Sequence, residues 1–72
     1  MSAVEKRSVT IAGHRTSVSL EAEFWEGLGA LARARGLSVA ALIVEIDEAR
    51  DGNLSSALRL AVLRFYREAG GA

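Results

Sequence analysis

Residues 8–12, SVTIA, alternate polar and apolar, with Val9 and Ile11 spaced as in a half-buried strand. Gly13 interrupts. The alternation then resumes with Thr16, Val18 and Leu20 on one side and Arg15, Ser17 and Ser19 on the other. Between the two runs the apolar phase moves from odd to even positions. A slip of one residue turns every side chain over, so a bulge or turn at Gly13 is required if both apolar sets share a face. Without one, two short strands face different surfaces. Residues 1–7 read as a polar arm ahead of this strand region, 8–20.

The period changes at residue 21. Glu21, Glu23 and Glu26 crowd the start of a helix expected over 21–35, where the positive end of the helix dipole favours acids. Phe24, Trp25, Leu28, Leu31 and Ala32 form its apolar stripe. Gly27 and Gly29 each weaken a helix by up to ~1 kcal/mol relative to Ala, and their expected value is close helix approach. Gly36 is placed to end the helix in the left-handed conformation. Ser38 then caps a second helix over 38–50, with Val39, Leu42, Ile43 and Ile46 on its apolar face. Asp51 and Gly52 end it. Asn53 or Ser55 caps a third helix over 54–68, with a stripe of Leu54, Ala57, Leu58, Ala61, Val62 and Phe65. Leu60, Leu63 and Tyr66 widen that stripe until the helix needs cover on two sides, once in its own subunit and once across an interface. The fold class is mostly α with a short N-terminal β segment, in a single domain.

Size sharpens the need for a partner. A chain of 72 residues buries only about 60% of the surface its unfolded form exposes. There is no cysteine and only one histidine, His14, so disulfides and a His-based zinc site within one chain are excluded. Oligomerisation is the remaining remedy. Half of the residues are hydrophobic, an excess that suits burial between subunits. No run is long enough for a membrane span, and the first residues lack the apolar core of a signal peptide, so the expected location is the cytoplasm.

Net charge is zero but unevenly spread. Lys6, Arg7 and Arg15 outnumber Glu5 across residues 1–20, whereas Glu45, Asp47, Glu48 and Asp51 outnumber Arg50 across 37–52. Enzyme chemistry finds no constellation: no nucleophile elbow, no glycine-rich phosphate loop and no metal cluster. Glu45 and Glu48 share a helix face, but Asp47 points elsewhere, as on a solvated acidic surface. No enzymatic activity, metal or cofactor is expected.

The order strand, helix, Gly-x-Ser break, helix in RTSVSLEAEFWEGLGALARARGLSVAALI resembles the ribbon-helix-helix family of bacterial DNA-binding proteins, over roughly residues 13–50. The tail NLSSALRLAVLRFYR is similar to that of a small subfamily with a third helix. The resemblance implies an intertwined homodimer, with a tetramer on DNA as a further assembly, whose two strands pair antiparallel and enter the major groove. It implies base contacts from Arg15, Ser17 and Ser19 and a phosphate held by Ser38 with the N–H groups of Val39 and Ala40. Arg7 and His14 are candidates for further phosphate contacts, and Lys6 is another. Val18, Leu20, Trp25, Leu42 and Ile46 are the expected dimer core. The function implied is a transcriptional regulator, such as a repressor, with a DNA duplex as partner. Two alternatives stand beside it: a dimeric protein-interaction module, antitoxin-like or adaptor, and a plain helical bundle in which the alternating run is accidental.

Overall fold

The structure is a computed structural model and describes residues 3–70. Two strands precede three helices: β1 (Val4–Ile11), β2 (His14–Glu21), α1 (Ala22–Arg35), α2 (Val39–Ala49) and α3 (Leu54–Ala69). The strands form one antiparallel hairpin. Its two-residue turn, Ala12 and Gly13, has φ of 53° and 82°. Positive φ at both central residues is what the type I′ turn demands, and its twist matches the flanking strands. The phase slip is thus resolved by a complete reversal of the chain.

Register makes the consequence explicit. Ile11 faces His14, Val9 faces Thr16, Arg7 faces Val18 and Glu5 faces Leu20 on the inner side of the hairpin. Val9, Ile11, Val18 and Leu20 therefore share one face and pack on the helices.

β1 begins at Val4, inside the segment expected as a polar arm; Met1 and Ser2 of that arm lie outside the described residues. The physical reason is tertiary. Trp25 in α1 donates its indole N–H to the Glu5 carbonyl at 2.9 Å, and the Ala22 amide donates to the Ala3 carbonyl at 3.1 Å. Those bonds tie the start of β1 to the start of α1, a link that sequence alternation does not carry.

The helices follow their local signals closely. α1 ends in a Schellman arrangement: Gly36 at φ 71° donates to Arg33 and Leu37 donates to Ala32. The chain then turns by 94° into α2. Ser38 caps α2 by accepting from the Ala41 N–H at 3.0 Å, and Asn53 caps α3 by accepting from Ser56 at 3.1 Å.

One core joins all five elements: Ile11, Val18, Leu20, Trp25, Leu28, Ala32, Leu42, Ile43, Leu58 and Val62. Among the described residues no polar or charged residue is buried. Gly27 sits where α1 meets α3, and a Cβ there would lie 2.4 Å from Val62 Cγ1 and 3.3 Å from Tyr66. Gly29 has open space instead. Of the two glycines expected to permit close helix approach, only Gly27 does so.

Candidate nucleic-acid interface

The outer side of the hairpin carries Val4, Lys6, Ser8 and Thr10 from β1, opposite Glu21, Ser19, Ser17 and Arg15 from β2. Lys6, Ser8, Thr10, Arg15, Ser17 and Ser19 are all exposed. Antiparallel ladders alternate hydrogen-bonded and open pairs. The Ala22–Ala3 bond puts the inner-face pairs at the bonded positions, so the outer-face pairs occupy the open ones. Two consequences follow. Outer side chains stand close across the strands, with Cα atoms about 4.5 Å apart. The backbone N–H and C=O groups of Arg15, Ser17, Ser19 and Glu21 point away from β1, towards the open edge of β2.

Charge on this face is one-signed apart from its end. Lys6 and Arg15 enter no ion pair among the described residues. Glu21, the lone carboxylate on the face, is held by Arg59 from α3, with nitrogen–oxygen distances of 3.0 and 3.4 Å. That guanidinium hydrogen bond holds the Glu21 carboxyl below the usual carboxylate range. Arg59 also lies over the Phe24 ring at 5.8 Å, so the pair is anchored to α1 as well.

Arg15, Ser17 and Ser19 thus sit together on one exposed face. Lys6, Ser8 and Thr10 share it, a placement that alternation alone does not give. Their signal lies in the turn: once Ala12 and Gly13 reverse the chain, even positions of β1 align with odd positions of β2.

Arg7 and His14 lie on the inner side instead. Arg7 is occupied, with Glu5 at 2.8 Å and its guanidinium 4.7 Å above the Trp25 ring. His14 is exposed near the tip and lines a cleft of about 460 Å³ with Asp47 and Arg50. Ser38, Val39 and Ala40 stand at the start of α2, a different element. The Ser38 hydroxyl already accepts from Ala41, which leaves first-turn N–H groups of Val39 and Ala40 without an acceptor inside the helix. The side chains expected in a dimer core are largely covered within one chain: Val18, Leu20, Trp25 and Leu42 are buried and Ile46 is half-buried.

A two-stranded ribbon followed by helices that bend sharply at a Gly-x-Ser break defines a class of small regulatory domain. A family model for the ribbon-helix-helix domain matches residues 4–66. The chain belongs to the ribbon-helix-helix family, whose members are commonly DNA-binding transcription regulators or antitoxins and are typically not enzymes. Among solved structures it is similar to an uncharacterized protein from Bordetella pertussis Tohama I, at 33% sequence identity and a TM-score of 0.80. The likeness covers 96% of this chain and 61% of that one, so the chain spans less than two thirds of its neighbour's length. No curated protein matches. Among the described residues no single helix is long and apolar enough to cross a membrane.

Proposed function

We propose that this chain is a sequence-specific DNA-binding transcription regulator that acts as a homodimer in the cytoplasm and represses by occupying the major groove. The observation that carries the reading is the outer hairpin face, with exposed Lys6, Ser8, Thr10, Arg15, Ser17 and Ser19 and its single carboxylate neutralised by Arg59. Arg15 is suited to guanine O6 and N7, and the hydroxyls of Ser17 and Ser19 accept or donate to base edges.

Dimerisation uses the open edge of β2. Two copies pair β2 with β2′ about a two-fold axis, giving a sheet with β1 strands outside. Strands lie about 4.8 Å apart, so four span roughly 14 Å between outer axes, against a groove about 12 Å wide. The central β2 pair enters the groove. The flanking strands lie over the phosphates, which gives Lys6 a phosphate to neutralise. The N–H groups of Val39 and Ala40 supply a further anion anchor.

Fluorescence anisotropy of a labelled duplex at two salt concentrations tests this, alongside the mass of the complex by sedimentation. Binding should weaken steeply with salt. Lys6→Ala should flatten the log–log slope by ~0.9 per subunit, the value for a single neutralised phosphate. Arg15→Glu should abolish binding while the fold persists.

No binding at low salt would favour the second reading, a dimeric protein-interaction module of antitoxin or adaptor type. Zero net charge and the exposed apolar side chains of α3 favour that reading.

A further inference from the structure

We propose that the exposed face of α3 docks an acidic amphipathic helix of a partner protein. Leu60, Leu63 and Tyr66 provide the apolar contact, and Arg64 and Arg67 pair with the partner's carboxylates. The surface is independent of the hairpin's outer face and of any DNA it contacts.

Leu60, Leu63 and Tyr66 are 45%, 48% and 51% exposed, the main concentration of large apolar side chains left in water by this fold. They recur every three residues and form a continuous strip along α3. An arginine follows each leucine by one turn: Arg64 after Leu60, Arg67 after Leu63. Both arginines are exposed and neither enters an ion pair among the described residues. Arg59 on the same helix is closed by Glu21. Beside the strip, a cleft of about 370 Å³ runs between α2 and α3, with Ala49, Ala57 and Ala61 among its lining and Leu60 and Arg64 on the α3 side. Small residues there leave room for an anchoring side chain of the partner.

Charge selects the occupant. An apolar strip bordered by polar groups marks a protein contact. A second copy's α3 brings Arg64 and Arg67 against the same two unpaired cations, with only Glu68 on that helix to offset them. A phosphate backbone satisfies the arginines and leaves the leucines wet. A helix with leucines at spacings of three and four and glutamates beside them satisfies both, in the helix-in-groove mode of recognition.

The probe is a labelled 16-residue synthetic helix with leucines in that pattern and glutamates on its flanks. Its control has lysines replacing the glutamates. Titrated with the full chain, the glutamate peptide should bind, weaken with salt, and bind at least ten times more tightly than the lysine peptide. Arg64→Glu with Arg67→Glu should reverse that preference. Leu63→Asp should weaken the glutamate peptide at least tenfold, and because Leu63 is half exposed its thermal melt should match wild type. Equal binding of both peptides, or binding of neither, would overturn the proposal. So would a mass that halves on Leu63→Asp, since that outcome assigns the face to a second copy.

Discussion

The outer face of the hairpin and the exposed face of α3 carry the same charge: Lys6 and Arg15 on one, Arg64 and Arg67 on the other, all four without an ion-pair partner among the described residues. They differ in what surrounds the cations. On the hairpin the neighbours are Ser8, Thr10, Ser17 and Ser19; on α3 they are Leu60, Leu63 and Tyr66. A hydroxyl-bearing cationic surface remains hydrated until a polar lattice of phosphates and base edges replaces that water. An apolar cationic surface gains by expelling water and needs a partner that is itself partly apolar. Equal charge with different surroundings therefore points to two kinds of partner.

Breaking the support beneath both faces should have the largest effect. Val18 is 2% exposed directly behind the outer face. Val18→Asp buries an unpaired charge in the core of a single chain, at a cost of several kcal/mol. The expected result is loss of the cooperative thermal transition, not a folded monomer. A folded Val18→Asp variant by circular dichroism would mean that the inner face of the hairpin does not rest on the helices.

The next test separates the faces. Arg15→Ala should weaken DNA binding by about 1–3 kcal/mol for each base that the arginine reads, whereas Arg67→Ala should leave anisotropy titrations with DNA unchanged. Equal weakening by both would place DNA on α3 and erase the distinction.

Gly27 and Gly29 differ in what surrounds them: the first faces Val62 of α3 and the second open space. Gly27→Ala drives a methyl into Val62 and should destabilise by about 1–3 kcal/mol, despite the better helix propensity of Ala. Gly29→Ala meets open space and should stabilise by up to ~1 kcal/mol. Paired urea melts read the opposite signs; matching signs would show that α1 and α3 do not approach closely at Gly27.

The smallest effect concerns the junction between the two regions. Glu21, on the hairpin, is held by Arg59 of α3, and its folded pKa is lowered chiefly by that hydrogen bond. A lowered carboxylate pKa contributes stability that is present above the unfolded value and lost as pH falls through the folded value. Glu21→Gln should lower the melting temperature slightly at neutral pH, and the difference should close in acid. A difference that persists below the carboxylate range would show that the contact is not ionic.

Much of the local architecture is legible in the sequence because its causes lie within a few residues. Gly36 supplies the left-handed end of α1, Ser38 and Asn53 need only offer an oxygen to an N–H three residues on, and the 3.6-residue stripes select the buried sides. The candidate face is half legible: Arg15, Ser17 and Ser19 follow from alternation alone. Lys6, Ser8 and Thr10 require the hairpin register. Arg7 lies on the inner side because it shares the odd phase of Val9 and Ile11 in β1, a strand that starts earlier than the sequence pattern shows, and its guanidinium there meets Trp25.

The local pattern of residues marks Gly13 as a bulge, a turn or a break between two strands, ends the first helix at Gly36 and lays out three helices, since backbone dihedrals and side-chain periods are local properties. Tertiary structure decided that β2 finds a strand within its own chain and that Gly27, unlike Gly29, is a contact point. It also left one side of α3 uncovered within the chain. Those outcomes depend on which distant groups meet, such as Trp25 with the Glu5 carbonyl and Arg59 with Glu21. Such meetings are set by the packing of whole elements, and no single stretch of sequence encodes them.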